Sequence, residues 1–287
     1  MELKRSLCAK GIEMLAQPVM PLVSMVQFFY ITGQFETVEE VVAELPAPIE
    51  TNHAVYPDPG TLLTPYMDLL HGLHGIKAGL SPEEVIDAEG LVLDSMTATS
   101  LLVGQQVLTR EMEAINSALC EPCHCTLCCV GPEEEMVQAF FEIPLEEREV
   151  EQFPVERVDT VVTRSSSAMT EPPVEVDGTP FYEKSTPLCL RFATGWSLIL
   201  PRSTRCPSLE MKGRCSTYRD RPQVCRRPQI FVYLLEPYLD GNSRRKWRQR
   251  NSLLAITDCP YVRLLREEIA AYGAACELET VFTCNKG

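Results

Sequence analysis

Ten residues of this chain, Cys120-Glu-Pro-Cys123-His-Cys125-Thr-Leu-Cys128-Cys129, contain five thiols, and Cys206, Cys215 and Cys225 follow far downstream. Thiolates are soft ligands that suit zinc, iron and iron–sulfur clusters. A Cys-x2-Cys pair chelates because a tight turn brings both sulfurs to one side, where backbone N–H groups stabilise their charge. Cys120/Cys123 and Cys125/Cys128 both have that spacing. Cys129 directly follows Cys128. Neighbouring side chains diverge in a helix or a strand, so these two are expected to contact one ion unequally, with one of them facing a second site or the core. Packing alone is a poor reason for such density, because buried core cysteines do not normally cluster at chelate spacing.

In the second group, Lys212-Gly213 marks a turn between Cys206 and Cys215, and a hairpin there brings their thiols near each other. Pro222 stiffens the approach to Cys225. Taken together, Cys125, Cys128 and Cys129, then Cys206-Pro207-x-Leu209, then Cys215, Tyr218, Arg221-Pro222, Cys225 and Arg226 form a dense pattern. It resembles the YkgJ-like cysteine-cluster proteins, described as a zinc- or iron-chelating domain. The resemblance covers residues 120–228 and implies metal binding more firmly than it implies a reaction. It also places Arg221 and Arg226 inside the motif, where cations neutralise the centre, bind an anionic substrate or anchor loops through carboxylates. One departure stands out: the family reads Cys-x2-Cys-x2-Cys-Cys, and the position three before Cys125 is Pro122, so Cys120 or Cys123 takes that ligand's place. Flagellin lysine N-methylases carry a similar cluster, which adds a metal-dependent protein-modifying enzyme to the readings. No glycine-rich nucleotide loop accompanies it.

A structural zinc site takes four ligands. Eight thiols therefore suffice for two such sites, or for one four-cysteine cluster with thiols to spare. Residue type does not choose between the metals; the surplus leans towards an iron–sulfur cluster. The remaining signals are weaker. Cys259 precedes a proline, as Cys206 does, and is a lesser ligand candidate; Cys189, Cys276 and Cys284 read as small buried hydrophobes. His124 can replace a thiolate or point outwards. His71 and His74 share a helical face without a carboxylate nearby in sequence beyond Asp68, and read as a surface or core pair. Ser243-Arg-Arg-Lys-Trp-Arg-Gln-Arg250 mixes cations with an aromatic ring but reads as a solvated helix start. Glu133–Glu135 and Glu146–Glu149 read as solvated helix faces. No serine–histidine–aspartate order stands out.

The whole chain is acidic, with 40 acidic and 26 basic side chains in 287 residues and a net charge of −14, which disfavours general nucleic-acid binding. The charge is uneven. Residues 202–250 hold 13 basic and 4 acidic side chains, so a basic island surrounds the second cysteine group. Nearby cations lower thiol pKa values and offset the negative charge of a metal–thiolate centre. Thirteen cysteines is an odd count for a disulfide framework and fits a reducing, cytoplasmic setting. The uncharged run Met14–Ile31 is broken by Pro18 and Pro21 and is expected to be a buried core helix rather than a signal or a span.

These residues need elements to hold them. Phe35–Leu45 is a short amphipathic stretch, residues 46–60 a proline-rich loop, and Leu62–Ala78 helical in pattern. Ser81-Pro82-Glu83-Glu84 predicts a helix start, with the helix running to about Leu119, broken near Gly104, and delivering the chain to Cys120. Another helix is expected from Pro132 through Phe141. Phe153–Thr163, Trp196–Leu200 and Ile230–Leu235 are strand candidates, Ser165–Pro180 a loop with an Asp177-Gly178 turn, and Pro260–Ala275 a final helix. The expectation is an α+β protein: a mostly helical region, 1–119, packed on an irregular cysteine-rich metal-binding domain, 120–287, with short strands and a C-terminal helix. Its expected partners are a zinc ion or iron–sulfur cluster and a protein substrate or partner, with no nucleic acid and no membrane.

Overall fold

The structure is a computed structural model that describes residues 3–77, 79, 83–239 and 245–284. In chain order its α-helices are α1 (Ala9–Ala16), α2 (Met20–Thr32), α3 (Val38–Ala43), α4 (Pro59–Leu63), α5 (Met67–Leu70), α6 (His74–Lys77), α7 (Ser95–Cys123), α8 (Val161–Arg164), α9 (Pro260–Leu264) and α10 (Arg266–Ala275). Its strands are β1 (Ile49–Glu50), β2 (Val55–Tyr56), β3 (Val85–Ile86), β4 (Phe140–Leu145), β5 (Glu156–Val158), β6 (Glu175–Val176), β7 (Thr179–Pro180), β8 (Leu188–Phe192), β9 (Gly195–Pro201), β10 (Ile230–Leu239), β11 (Arg245–Ile256) and β12 (Glu279–Thr283). The fold is α+β. Contacts divide the chain into two compact units, residues 1–122 with 229–285, and residues 123–228.

The first unit is organised by α7. Its inward row includes Val103, Val107, Leu108, Glu111, Met112, Ile115, Asn116 and Leu119, the three-to-four spacing of one buried helical face. Val103 and Val107 join Val19, Leu22, Val23, Val26 and Tyr30 in one core. The uncharged N-terminal run is thus two helices that break at Pro18, with α2 supplying the buried row. By length and composition alone, Arg5–Thr32 also qualifies as a membrane span. Gly104 lies inside α7, which passes through it without a break; an added Cβ would meet Leu234 Cδ1 at 2.9 Å, so close approach of a strand explains the glycine. The strand is β10, which pairs antiparallel with β11, while β12 and β3 both pair parallel with β11. At the β10 bulge the Gln105 side chain accepts from the Leu234 and Leu235 N–H groups and donates to the Val232 carbonyl.

The second unit is built on a four-stranded sheet, ordered β4-β9-β8-β5. Both faces are covered. Leu188, Leu190, Phe192 and Ile199 pack on one side with Phe181 and Val176; Cys189, Leu198 and Leu200 pack on the other with Phe153 and Trp196. Cys189 is therefore the small buried hydrophobe expected. The β6–β7 hairpin turns at Asp177-Gly178, both with positive φ, as that dipeptide predicts.

Several local expectations need correction. Ser81 and Pro82 lie outside the described residues, but no helix runs through Val85: it pairs with Trp247 as part of β3. The long helix opens at Ser95 instead, where Asp94 Oδ1 accepts from the Met96 and Thr97 N–H groups. Residues 132–141 are not helical. Arg202 holds the Glu133 and Met136 carbonyls, and Phe140 begins a strand in register with Pro201. Leu62–Lys77 is a chain of single turns rather than one helix, and Phe153–Thr163 yields only the short β5 before α8. The basic run from Arg245 onwards is strand, because β10 and β3 flank it; Ser243 and Arg244 lie outside the described residues.

Candidate metal centre

Three segments of the 123–228 unit bring thiols together. The first is the loop after α7. Thr126–Pro132 lies antiparallel to Ser203–Cys206: Gly131 N–H donates to the Thr204 carbonyl at 2.8 Å, Cys206 N–H to the Cys129 carbonyl at 2.8 Å, and Ser203 N–H to the Pro132 carbonyl at 3.2 Å. A Cβ on Gly131 would sit 1.9 Å from the Pro201 carbonyl oxygen, so only glycine allows this approach. The zipper sets Cys128 and Cys129 against Cys206.

The second segment is the Cys206–Cys215 knuckle. Leu209 N–H returns to the Cys206 carbonyl, Leu209 and Cys215 bridge, and Gly213, at φ +76, closes the turn through Glu210. The hairpin expected at Lys212-Gly213 therefore forms. Ser208 donates to the Cys206 sulfur through both its backbone N–H and its hydroxyl, the arrangement that stabilises a thiolate ligand. Cys215 Sγ is 3.5 Å from Thr217 Oγ1.

The third segment is the 3₁₀ turn Gln223–Arg226, which carries Cys225. Glu149 fixes it by accepting from the Gln223 N–H at 2.9 Å, while also accepting from Glu149's own capping partner, the Glu146 N–H. Glu149 is buried, so the acidic run 146–149 is not simply a solvated face. A sequence shows only the run of acids; the distant backbone partner is what selects Glu149. Its neighbour Glu147 accepts from Trp196 Nε1 and pairs with Arg191.

The thiols of Cys128, Cys206 and Cys215 lie close enough to Cys225 to disfavour its thiolate. Burial pushes the Cys225 thiol up to about 12, reinforced by Cys128, Cys206 and Cys215. Cys206 is also raised, first by burial and then by Cys215 and Cys128. Cys128 is raised chiefly by its hydrogen bond to the Cys129 thiol, then by burial. The expected divergence of Cys128 and Cys129 does not hold for their sulfurs, because they occupy a turn rather than a helix or strand. One cation opposes these shifts. Arg221 is 4% exposed, stacks on Tyr218 with its guanidinium carbon 3.9 Å from the ring centroid, and lowers both Cys128 and Cys225. Arg226 supports it, donating from Nε to the Arg221 carbonyl.

The Cys123 and Cys125 sulfurs lie within 4.8 Å of each other. His124 between them has φ +51. Its loop crosses the knuckle turn, where the His124 carbonyl lies 3.4 Å from the Cβ position of Gly213. Cys120 stands one helical turn before Cys123 on α7. No disulfide joins any cysteine among the described residues.

The weaker signals resolve within the first unit. His71 stacks on His74 and bonds Glu39, a carboxylate that sequence distance concealed, while Asp68 pairs with Arg110. Lys246 pairs with Glu84, Trp247 bonds Glu83, and Arg250 pairs with Glu236; Arg248 stacks on Tyr238. The cations of β11 thus meet carboxylates and rings of their own unit. Cys259 is buried at the N-terminus of α9 and Cys276 is buried after α10, whereas Cys284 is not the buried hydrophobe expected: it is exposed, with its Sγ hydrogen-bonded to Asp258.

The donor set fits a thiophilic occupant: four sulfurs, N–H donors to one of them and a buried guanidinium to offset thiolate charge. No curated protein and no solved structure matches the chain. Residues 119–252 match the model of the CxxCxxCC family, described as a "putative zinc- or iron-chelating domain".

Proposed function

We propose that residues 123–228 hold a zinc ion or an iron–sulfur cluster through Cys128, Cys206, Cys215 and Cys225, with the Cys129 thiol beside Cys128 and with Arg221 and Arg226 offsetting the charge of the centre. The observation that carries this reading is the convergence of three separated segments, in which the zipper hydrogen bonds set Cys128 and Cys129 against Cys206, the knuckle bridges Leu209 to Cys215, and Glu149 holds the Cys225 turn, with Arg221 buried beside them. A bound metal keeps its cysteine ligands deprotonated, and a guanidinium beside them offsets part of that charge. Zinc would make the unit a structural brace for contacts with another protein. An iron–sulfur cluster would make it a redox centre, and thiols held reduced fit a cytoplasmic setting.

Purification without oxygen, followed by assay of zinc, iron and acid-labile sulfide with an absorption spectrum, separates these occupants. Iron and sulfide with a visible band that bleaches on reduction identify a cluster; zinc in a colourless protein identifies a brace. A folded chain that takes up neither metal rejects the reading.

A further inference from the structure

The first unit carries a groove of about 460 Å³ formed by α3, the loop after it, α4 and α5. The stretch of chain that builds it has a one-sided charge: between Lys10 and Lys77 there is no lysine or arginine, and there are eight carboxylates. One wall is apolar. Val42, Leu45 and Met67 are half-buried side chains packed against the helical core, so close packing behind them holds that wall in place. The groove is also lined by Glu39 and Asp58. Both are ionised at neutral pH. Glu39 is held below the usual carboxylate range by its own backbone N–H and then by His71, and Asp58 by the Thr61 N–H and hydroxyl. Among the described residues no basic side chain lines the groove. Cations near its ends are already engaged: Arg110 pairs with Asp68 and donates to the Pro65 carbonyl, and Lys77 donates to the Phe35 carbonyl. Apolar surface thus stands beside two fixed negative charges. A long cationic side chain matches both features, because its methylene stem covers apolar surface while its head stays with the charge.

We propose that this groove docks a basic segment of a partner protein, which seats an arginine or lysine side chain against Glu39 and Asp58 with its stem on Val42, Leu45 and Met67. The negative field argues for a segment rather than a lone cation: it continues along α3 and its flanks through the exposed Glu36, Glu40 and Glu44. A metal ion gains nothing from the apolar wall, and nucleic acid is repelled by the charge. Complementary charge of this kind governs encounter rate and partner choice, so the contact weakens as salt rises. Gly60 offers a way to close the groove without touching its charges. It lies within α4, and a Cβ there would stand 3.8 Å from Asp58 Oδ1 and 4.0 Å from the Val42 carbonyl oxygen. A larger side chain at this position therefore enters the groove from an ordinary helical backbone.

The probe is a short peptide of arginine, leucine and alanine, compared with the same peptide carrying citrulline, the neutral isostere, in place of arginine. The full-length chain, labelled at its methionine methyl groups, is titrated with each while the Met67 resonance is followed, that signal being assigned with Met67→Leu. The arginine peptide is expected to shift Met67, and the citrulline peptide to need about tenfold higher concentration. Glu39→Gln/Asp58→Asn is expected to weaken arginine-peptide binding about tenfold and to erase the difference between the peptides, while asparagine keeps the α4 cap. Gly60→Leu is expected to abolish the Met67 shift with every charge in place. Equal binding of the two peptides by the wild-type chain overturns the site, as does arginine-peptide binding that leaves Met67 unmoved. Arginine amide that binds as tightly as the peptide overturns the protein segment as occupant. The wild-type titrations need no variant to fold, and a chain that binds metal but not the peptide separates this inference from the metal reading.

Discussion

Glu111 and Asn116 show how the first unit keeps its interior. Glu111 is fully buried on α7, yet it accepts from the Val19 N–H at 2.9 Å and the Tyr272 hydroxyl at 2.7 Å. Asn116 donates to the Ile230 carbonyl and accepts from the Tyr261 hydroxyl. Large apolar side chains surround both. In the second unit the sheet has such a core, but the segment from Ser203 to Arg227 does not: it is turns, isolated bridges and short hydrogen bonds, with thiols at its close approaches. One region is ordered by packed apolar surface with polar partners inside it; the other by backbone hydrogen bonds, the Glu149–Gln223 contact and the Arg221–Tyr218 stack around its sulfurs, with little apolar core of its own. Cross-linking by a metal is the physical substitute for a core in so irregular a segment.

The largest expected effect follows from that difference. Binding of zinc to thiolate modules couples on the order of 10 kcal/mol to folding. Removing the metal from the loaded chain should therefore open residues 203–228 while α7 and its neighbours stay protected, as read by amide hydrogen exchange. Equal protection with and without metal would erase the contrast between the two regions.

A second effect belongs to the helical unit alone. Burial raises the Glu111 carboxyl from 4.5 to about 7, against the opposing bonds from Tyr272 and Val19. A carboxyl whose folded pKa lies above its unfolded value binds more protons when folded, so stability is full below about pH 4.5 and declines as pH rises through 7. The loss approaches about 3 kcal/mol above that range. Glu111→Gln should flatten this part of the profile in chemical denaturation between pH 5 and pH 8. An unchanged slope would show that another group sets it.

Gly131→Ala should have a smaller effect in the cysteine unit. The added methyl meets the Pro201 backbone, and overpacking of this kind costs about 1–3 kcal/mol. Its signature is a lower metal content with unchanged helical circular dichroism. Retention of full metal content would show that the zipper tolerates the shift. The smallest change is Arg250→Ala, which removes an exposed pair with Glu236 and should alter stability by less than about 1 kcal/mol. A larger loss in a melting curve would mean that the β11 cations carry more of the first unit than its core does.

The sequence made the first cysteine group, the Gly213 knuckle and the Asp177-Gly178 turn legible, because each depends on residues within a dozen positions of one another; the final helix expected over Pro260–Ala275 is two helices that break at Leu265. What it concealed depends on distant partners. Val85 is a strand residue because β11 lies beside it, so the acidic Glu83-Glu84 start signal does not open a helix there. Residues 133–141 have helix-forming composition, but register with β9 overrides it from Phe140. Glu149 was hidden among other acids until Gln223 supplied its partner. Cys128 and Cys129 followed a turn geometry that the helix and strand periodicities do not describe.

The first unit is discontinuous in sequence: residues 229–285 complete what residues 1–122 begin. On the ribosome, Glu111 and Asn116 are made well before Tyr272 and Tyr261, their hydroxyl partners. During that interval the intervening 123–228 unit is synthesised in full and can acquire its ligands while the helical unit still awaits its closing pieces. A message cut short after codon 228 would yield a finished cysteine module joined to a helical segment whose interior carboxyl and amide lack those hydroxyls. Quality control would meet that product as a partly folded chain, even though its metal-binding residues are all present.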